Sequence, residues 1–319
     1  MKAIIIDEEK NFVSQEQPDP VTETGRVVID IHAAALNRAD LLQREGKYPP
    51  PPGWPAWPGL ECAGVISAVP AESRWKIGDR VCALLGGGGY AEKVSVPENM
   101  VMPMPENLSF SEAAALPEVY TTAFMNLGAL AKLQQGETLF VQAGASGLGI
   151  AAIQLAKHLF HAKVVTTVGS EEKAAAVQAL GADVVINRKT ACVAEILTAN
   201  PPDVALDCAG GEILANCLRA MRSGGRWILV STLGGEFANI PLRVILKQHL
   251  SLIGSTLRSR SDAEKGEILA QLVQQVWPLI RAEKFAPLID KVFPAAEVDA
   301  AHAVLQKQKN IGKVVLTFR

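Results

Sequence analysis

Thr138-Leu139-Phe140-Val141-Gln142-Ala143-Gly144-Ala145-Ser146-Gly147-Leu148-Gly149, followed by Ile150-Ala151-Ala152-Ile153-Gln154-Leu155-Ala156-Lys157, is the stretch on which the fold turns. It reads as a buried strand running into a glycine-rich turn that opens an amphipathic helix. Gly144 permits the tight turn, and the small residues Ala145, Ser146 and Gly147 let backbone N–H groups approach a pyrophosphate. Gly149 lets the helix pack closely on the strand, and the helix start, where Leu148 lies, offers N–H donors at a positive dipole end. A strict G-x-G-x-x-G is not met, because Ser146 takes the middle glycine position. The strand–turn–helix–strand setting gives the degenerate motif its weight. A rival reading of Ser146 as a hydrolase nucleophile fails, because Leu148 stands where the G-x-S-x-G elbow needs its last glycine.

Working outward, residues 138–142, 163–168, 183–186, 204–207, 226–230 and 251–254 read as strands. Alanine- and leucine-rich helices such as 150–160 and 171–180 lie between them. Alternation of this kind predicts a doubly wound parallel sheet. Up to about residue 115 the texture differs. Short Val- and Ile-rich runs at 3–6, 27–31, 64–69, 80–84 and 92–96 are bounded by turn residues and predict a mostly antiparallel sheet or small barrel. A helix near 263–282 and a strand at 313–317 end the sequence. The proline run 49–52, between Tyr48 and Gly53-Trp54-Pro55-Ala56-Trp57, reads as a stiff loop framing a cleft rather than a polyproline ligand. Residues 86–89 are four consecutive glycines.

Composition fits this two-part reading. The chain has 319 residues, 49% hydrophobic and 20% charged, which excludes a disordered polymer. A formal net charge of −2 argues against a dedicated nucleic-acid or anionic-membrane binder. No apolar run reaches the length of a membrane span, and the start is too short in apolar residues for a signal peptide, so a cytoplasmic protein is expected. The five cysteines are scattered without a C-x-x-C pair, which predicts neither a disulfide framework nor a four-thiolate zinc lobe. His158 and His161 read as charges near a helix C-terminus rather than as a metal pair. His32, His249 and His302 show no partner pattern.

The end of the second parallel strand selects the cofactor. An NAD site usually places Asp or Glu about 20 residues past the glycines, to hold the ribose 2′-hydroxyl. The matching position here is Gly169, which leaves room for a 2′-phosphate. Ser170 supplies a hydroxyl, and Lys173 and Arg188 supply cations for it. Glu171 and Glu172 suit the start of a helix. NADPH is therefore the expected cofactor.

On these residues the chain resembles the medium-chain dehydrogenase/reductase superfamily, and within it the zinc-free quinone oxidoreductases. The resemblance is also carried by Ala35-Leu36-Asn37-Arg38-Ala39-Asp40, Pro58-Gly59-Leu60-Glu61-Cys62-Ala63-Gly64, Gly78-Asp79-Arg80-Val81, Leu116-Pro117 and Thr121-Thr122-Ala123. Gly46-Lys47-Tyr48-Pro49-Pro50-Pro51-Pro52-Gly53 and Leu257-Arg258-Ser259-Arg260 resemble the branch of the tumour-suppressor-inducible enzymes. The resemblance implies an α/β architecture: a GroES-like β-barrel catalytic domain from residues 1–120 and 257–319, and a Rossmann cofactor domain from 121–256. It also implies an active site in the cleft between them. The positions that hold catalytic zinc in the metal-dependent relatives are Asn37, Leu60 and Glu118 here, and only Glu61 resembles the original pattern. Zinc needs three N, S or O ligands, so no metal is expected.

The resemblance places Thr122, Leu233, Gly234, Leu257, Arg258, Ser259, Asn310 and Lys313 along the cofactor groove. It leaves Tyr48 to contact or protonate the acceptor, or merely to pack at the rim. Asn37 is expected to orient the substrate or the cofactor amide, with Asp40 supporting the loop. The expected reaction is zinc-independent hydride transfer from NADPH to a quinone; reduction of an enone or enoyl C=C bond is the alternative. A crystallin-like or RNA-binding role is a more distant reading, which the low aromatic content and absent basic stripe disfavour. The resemblance implies a homodimer or higher homo-oligomer, paired through the edge strand near residues 251–256.

Overall fold

The punctuated N-terminal stretch pairs mostly antiparallel. Strands β1 (Lys2–Ile6) and β2 (Phe12–Glu16) form a hairpin. Then come β3 (Arg26–Ala35), helix α1 (Arg38–Arg44), β4 (Glu61–Ala68), β5 (Arg80–Leu84), β6 (Lys93–Pro97) and β7 (Val101–Pro103). Two short helices follow, α2 (Phe110–Ala113) and α3 (Pro117–Phe124), and α3 continues as a π-helix over Met125–Leu130. The computed structural model describes residues 1–318. They divide into two compact units, Met1–Thr121 with the segment from Arg260 onward, and Thr122–Ser259.

The second unit is built of β8 (Thr138–Val141), α4 (Gly147–His158), β9 (Lys163–Val168), α5 (Glu171–Ala179), β10 (Val184–Asn187) and α6 (Val193–Ala199). It continues with β11 (Val204–Asp207), α7 (Glu212–Cys217), β12 (Arg226–Leu229), α8 (Leu242–Gln248) and β13 (Ser251–Gly254). All six strands are parallel, in the order β10-β9-β8-β11-β12-β13. This is the 3-2-1-4-5-6 order of a dinucleotide-binding sheet, whose ligands bind where the order reverses, between β8 and β11. The core includes Phe140, Leu197, Leu218 and Trp227, each almost fully buried. Burying side chains of this size contributes about 1.5–3 kcal/mol apiece. The Trp227 indole donates to Asp207 Oδ2 at 2.9 Å, so its one polar group is satisfied.

The chain then returns to the first unit through α9 (Asp262–Arg281), β14 (Ile289–Pro294), α10 (Val298–Gln306) and β15 (Lys313–Thr317). These strands complete a seven-stranded sheet in the order β14-β15-β3-β4-β5-β7, with β6 also paired to β3. β15 runs antiparallel to β3 with Val315 opposite Ala35, and Leu36 N–H donates to Val314 O at 2.9 Å. That register delivers Lys313 to the end of β3. The glycine run acquires a purpose here. A Cβ on Gly86 would meet the Trp54 ring at 2.7 Å, and one on Gly88 would meet the Pro55 ring at 2.8 Å, so the loop after the prolines lies directly on bare backbone. Among the described residues no helix is long and apolar enough to cross a membrane.

Candidate functional site

The turn after β8 is as tight as its glycines imply. A Cβ on Gly144 would stand 2.1 Å from Thr166 Oγ1, and one on Gly149 would stand 2.5 Å from Ala143 O. Ala143 itself is left-handed at φ 53°. Thr167 braces the turn, its Oγ1 accepting from Ala143 N at 3.1 Å and its carbonyl from Gly144 N at 2.9 Å. Helix α4 starts three residues before the expected position, because Ser146 is its N-cap: Oγ accepts from Gly149 N at 3.0 Å. The residue in the middle glycine position is thus a cap. Helix geometry provides no internal carbonyl for the N–H groups of Gly147 and Leu148, which suits them to an anion.

At the end of β9 the structure brings together two positions 19 residues apart in sequence. A Cβ on Gly169 would lie 3.1 Å from Arg188 Nη1 and 3.4 Å from Nη2. The exposed guanidinium therefore lies over the glycine where an NAD-type carboxylate would stand. Ser170 caps α5, its Oγ accepting from Lys173 N at 3.3 Å, and its hydroxyl proton can still donate. Lys173 is half-buried. The nearby Glu171 is tied to Asn187, which donates to Oε1 at 2.6 Å.

Other residues expected along a cofactor groove are distributed around the same unit. Gly234 N–H donates to Ala209 O at 2.7 Å, and Gly210 bridges Gly235, so the two loops after β11 and β12 are stitched together. Asp207 Oδ1 holds the first of these loops by accepting from Ala209 and Gly210 N–H, both at 2.8 Å. Leu233 is 51% exposed, Leu257 is buried and Arg258 half-buried. Ser259 is exposed and hydrogen-bonded to the Thr256 hydroxyl. Half-buried Thr122 accepts at its carbonyl from Asn126 Nδ2 at 2.7 Å, where α3 widens into the π-helix.

In the first unit Tyr48 is half-buried, on the loop between α1 and the prolines. Asn37, the N-cap of α1, is engaged on every side-chain N–H. Its Nδ2 donates to Glu61 Oε1 at 2.9 Å and to Ala35 O at 3.3 Å, and its Oδ1 accepts from Lys313 Nζ at 2.8 Å. Lys313 also donates to Leu36 O and Glu61 Oε1, each at 2.6 Å. An ammonium has three N–H groups, so none is left for a dinucleotide. The expectation that Lys313 lines the cofactor groove is corrected by this geometry, and Asn37 has no N–H left with which to orient a substrate. Asn310 donates to Gly312 O at 2.7 Å and shapes the turn into β15.

Beside this group lies a second buried one, of which sequence reasoning named only Asp40, as a support for the loop, and missed the partners Tyr90 and His302. Asp40 Oδ2 accepts from Asn37 N at 2.7 Å and from the Tyr90 hydroxyl at 3.2 Å, while Oδ1 accepts from Gly59 N at 3.2 Å. The Tyr90 oxygen lies 3.0 Å from His302 Nε2. Burial pushes the Asp40 carboxyl up to about 6, against the pull of those N–H donors and of Lys313. Burial likewise drives Tyr90 well above the ordinary phenol range and His302 down to about 3. With Asp40 ionised, Tyr90 donates to it, so donor counting puts the His302 proton on Nε2 and leaves Nδ1 bare and unpartnered among the described residues. Only Asp40 carried a sequence signal, as the third residue after an N-cap.

A catalytic zinc does not fit this chain. Leu60 has no ligand atom, and the oxygens of Asn37 and Glu61 already surround an ammonium. Glu61 Oε2 accepts from Glu118 N at 2.8 Å. Among the described residues no three His, Cys, Asp or Glu side chains converge on one point.

Comparison with known proteins agrees with the fold. Residues 147–274 match the zinc-binding dehydrogenase family, and residues 23–106 match the alcohol dehydrogenase GroES-like domain. The quinone oxidoreductase-like protein 2 homolog of Nematostella vectensis is 32% identical over 304 residues, covering 93% of this chain and 82% of that protein. The quinone oxidoreductase of Thermus thermophilus, solved with and without NADPH, superposes with a TM-score of 0.86 at 31% identity over 100% of both chains. CurK enoyl reductase superposes at 0.84 with 28% identity, over 99% of this chain and 98% of that one. The chain belongs to the medium-chain dehydrogenase/reductase superfamily, with a GroES-like domain and a Rossmann-type sheet. It is an oxidoreductase with a nicotinamide-cofactor fold.

Proposed function

We propose that this protein is an NADPH-dependent quinone oxidoreductase that works without zinc. The observation that carries the cofactor choice is the Arg188 guanidinium over Gly169. It presents positive charge where a 2′-phosphate would lie, and position 169 has no carboxylate to repel that phosphate. The first turn of α4 and the Gly144–Gly149 turn hold the pyrophosphate, and Ser170 and Lys173 complete the phosphate end. Bound NADPH supplies hydride from its nicotinamide C4, and a quinone accepts it readily because the product is an aromatic hydroquinone anion. The chain's part is to hold donor and acceptor in contact and to exclude water. Tyr48 contacts the acceptor oxygen and gives it a proton, which the phenol regains from solvent.

The likeness to an enoyl reductase supports a second reading, NADPH-dependent reduction of an activated C=C bond, with Tyr48 protonating the α-carbon. Steady-state rates with benzoquinone and 1,2-naphthoquinone, beside 2-enones and enoyl thioesters, separate the two. NADH used as well as NADPH overturns the cofactor assignment.

The partner we propose is a second copy. Phe237, Leu242 and Leu246 are 87%, 70% and 75% exposed, and β13 is the edge of the parallel sheet. Edge pairing would cover both, and sedimentation velocity reads the result.

A further inference from the structure

The ammonium of Lys313 sits in a seat of three oxygens: Leu36 O at 2.6 Å, Asn37 Oδ1 at 2.8 Å and Glu61 Oε1 at 2.6 Å. Glu61 is 0% exposed, Lys313 5% and Asn37 8%. We propose that Lys313 is a built-in cation that fills a cation seat of this fold and closes it to zinc. A buried carboxylate needs a compensating charge and hydrogen bonds to every lone pair that faces the interior. Glu61 has them: Lys313 and the Asn37 amide on Oε1, and Glu118 N–H on Oε2. The seat is all oxygen, a hard set, whereas zinc favours thiolate and imidazole. The cation arrives by strand register rather than from solution, because pairing of β15 with β3 fixes where Lys313 stands.

It follows that cutting the tether leaves a seat for a free cation of the same chemistry. Lys313→Ala opens the space, whereas Lys313→Met removes the charge and keeps it filled. Thermal unfolding is measured in ammonium chloride against tetramethylammonium chloride, whose cation is too large and donates no hydrogen bond. Ammonium is expected to raise the Tm of Lys313→Ala in a concentration-dependent way beyond its effect on the wild type and on Lys313→Met. After dialysis against zinc chloride, the wild type is expected to retain substoichiometric zinc by elemental analysis. A folded Lys313→Ala variant with equal Tm in the two salts overturns the proposal, and so does stoichiometric zinc in the wild type. Should Lys313→Ala not fold, Glu61→Gln/Lys313→Met decides alongside the zinc measurement. With charge removed from both partners it is expected to melt above Lys313→Met, and the opposite order overturns the proposal.

Discussion

The two units handle charge in opposite ways. In the Thr122–Ser259 unit, positive potential stands at the surface: a helix N-terminus after the Gly144 turn and an exposed guanidinium over Gly169. In the other unit, Glu61, Lys313, Asn37 and Asp40 are buried, and their charges are answered by one another and by backbone N–H groups. On the proposed reading the cofactor's phosphates complete the first arrangement; the second is complete already. A mutation in the first should therefore change ligand choice, and one in the second should change stability.

The largest expected effect tests the closed region. Glu61→Ala strands the Lys313 ammonium without its carboxylate, and losing one partner of a buried pair costs about 3–5 kcal/mol. A urea titration should show this as a lower midpoint with little change in slope. A loss within the range of surface substitutions would mean that the pair is solvated.

Arg188→Ala tests the open region. A hydrogen bond to a charged group is worth about 1.5–3 kcal/mol, so kcat/KM with NADPH should fall roughly 10- to 150-fold. The value with NADH should hardly move. Equal losses with both cofactors would place Arg188 in structure rather than in phosphate recognition.

A pH experiment then sharpens the contrast. His302 falls from an ordinary 6.5 to about 3 in the fold. Its contribution to stability is present above pH 6.5 and is lost as pH falls toward 3. Asp40, raised from 3.8 to about 6, acts in the reverse sense. Its contribution is complete below pH 3.8 and is lost as pH rises through 6. Because both forms retain Asp40, the difference between wild type and His302→Gln isolates the histidine. The stability advantage of the wild type should shrink by up to about 1.4 kcal/mol per pH unit between pH 6.5 and 3. A constant advantage would show that His302 is not held neutral.

Tyr48→Phe is the mildest change. It should lower kcat/KM for a quinone by about tenfold or less, roughly 1.4 kcal/mol, with unchanged NADPH affinity. No change at all would reduce Tyr48 to packing.

The open region was far more legible in the sequence than the closed one. The bounds of β9, β11 and β13 coincide with the runs read from the alternation of strands and helices, a pattern that a parallel sheet writes along the chain. Gly169 could be picked out from a spacing rule and Arg188 as a cation following the next strand, although nothing in the sequence says that they touch. Tyr90 and His302 are 212 residues apart, and Glu61 and Lys313 are 252 apart. No helical or strand period relates such pairs; only the register of β15 on β3 and the packing of α10 do. His302 thus looked partnerless in sequence. Lys313 was placed along the cofactor groove by resemblance alone, and a lysine in a sequence carries no mark of what will bury it. Ser146 was legible as a small residue and illegible as a cap, since only the helix start distinguishes the two.

The position of β15 also sets an order of assembly. Every strand of the parallel sheet has been synthesised by the time Gly254 is made, so that unit can close while the ribosome is still at work. Strand β3 can pair early with β4 and β6, but its pairing with β15 waits until residues 313–317 emerge, and the carboxylate of Glu61 waits with it. A sheet begun before the parallel one is thus completed after it, and the buried carboxylate left waiting is where a chaperone's protection would matter most.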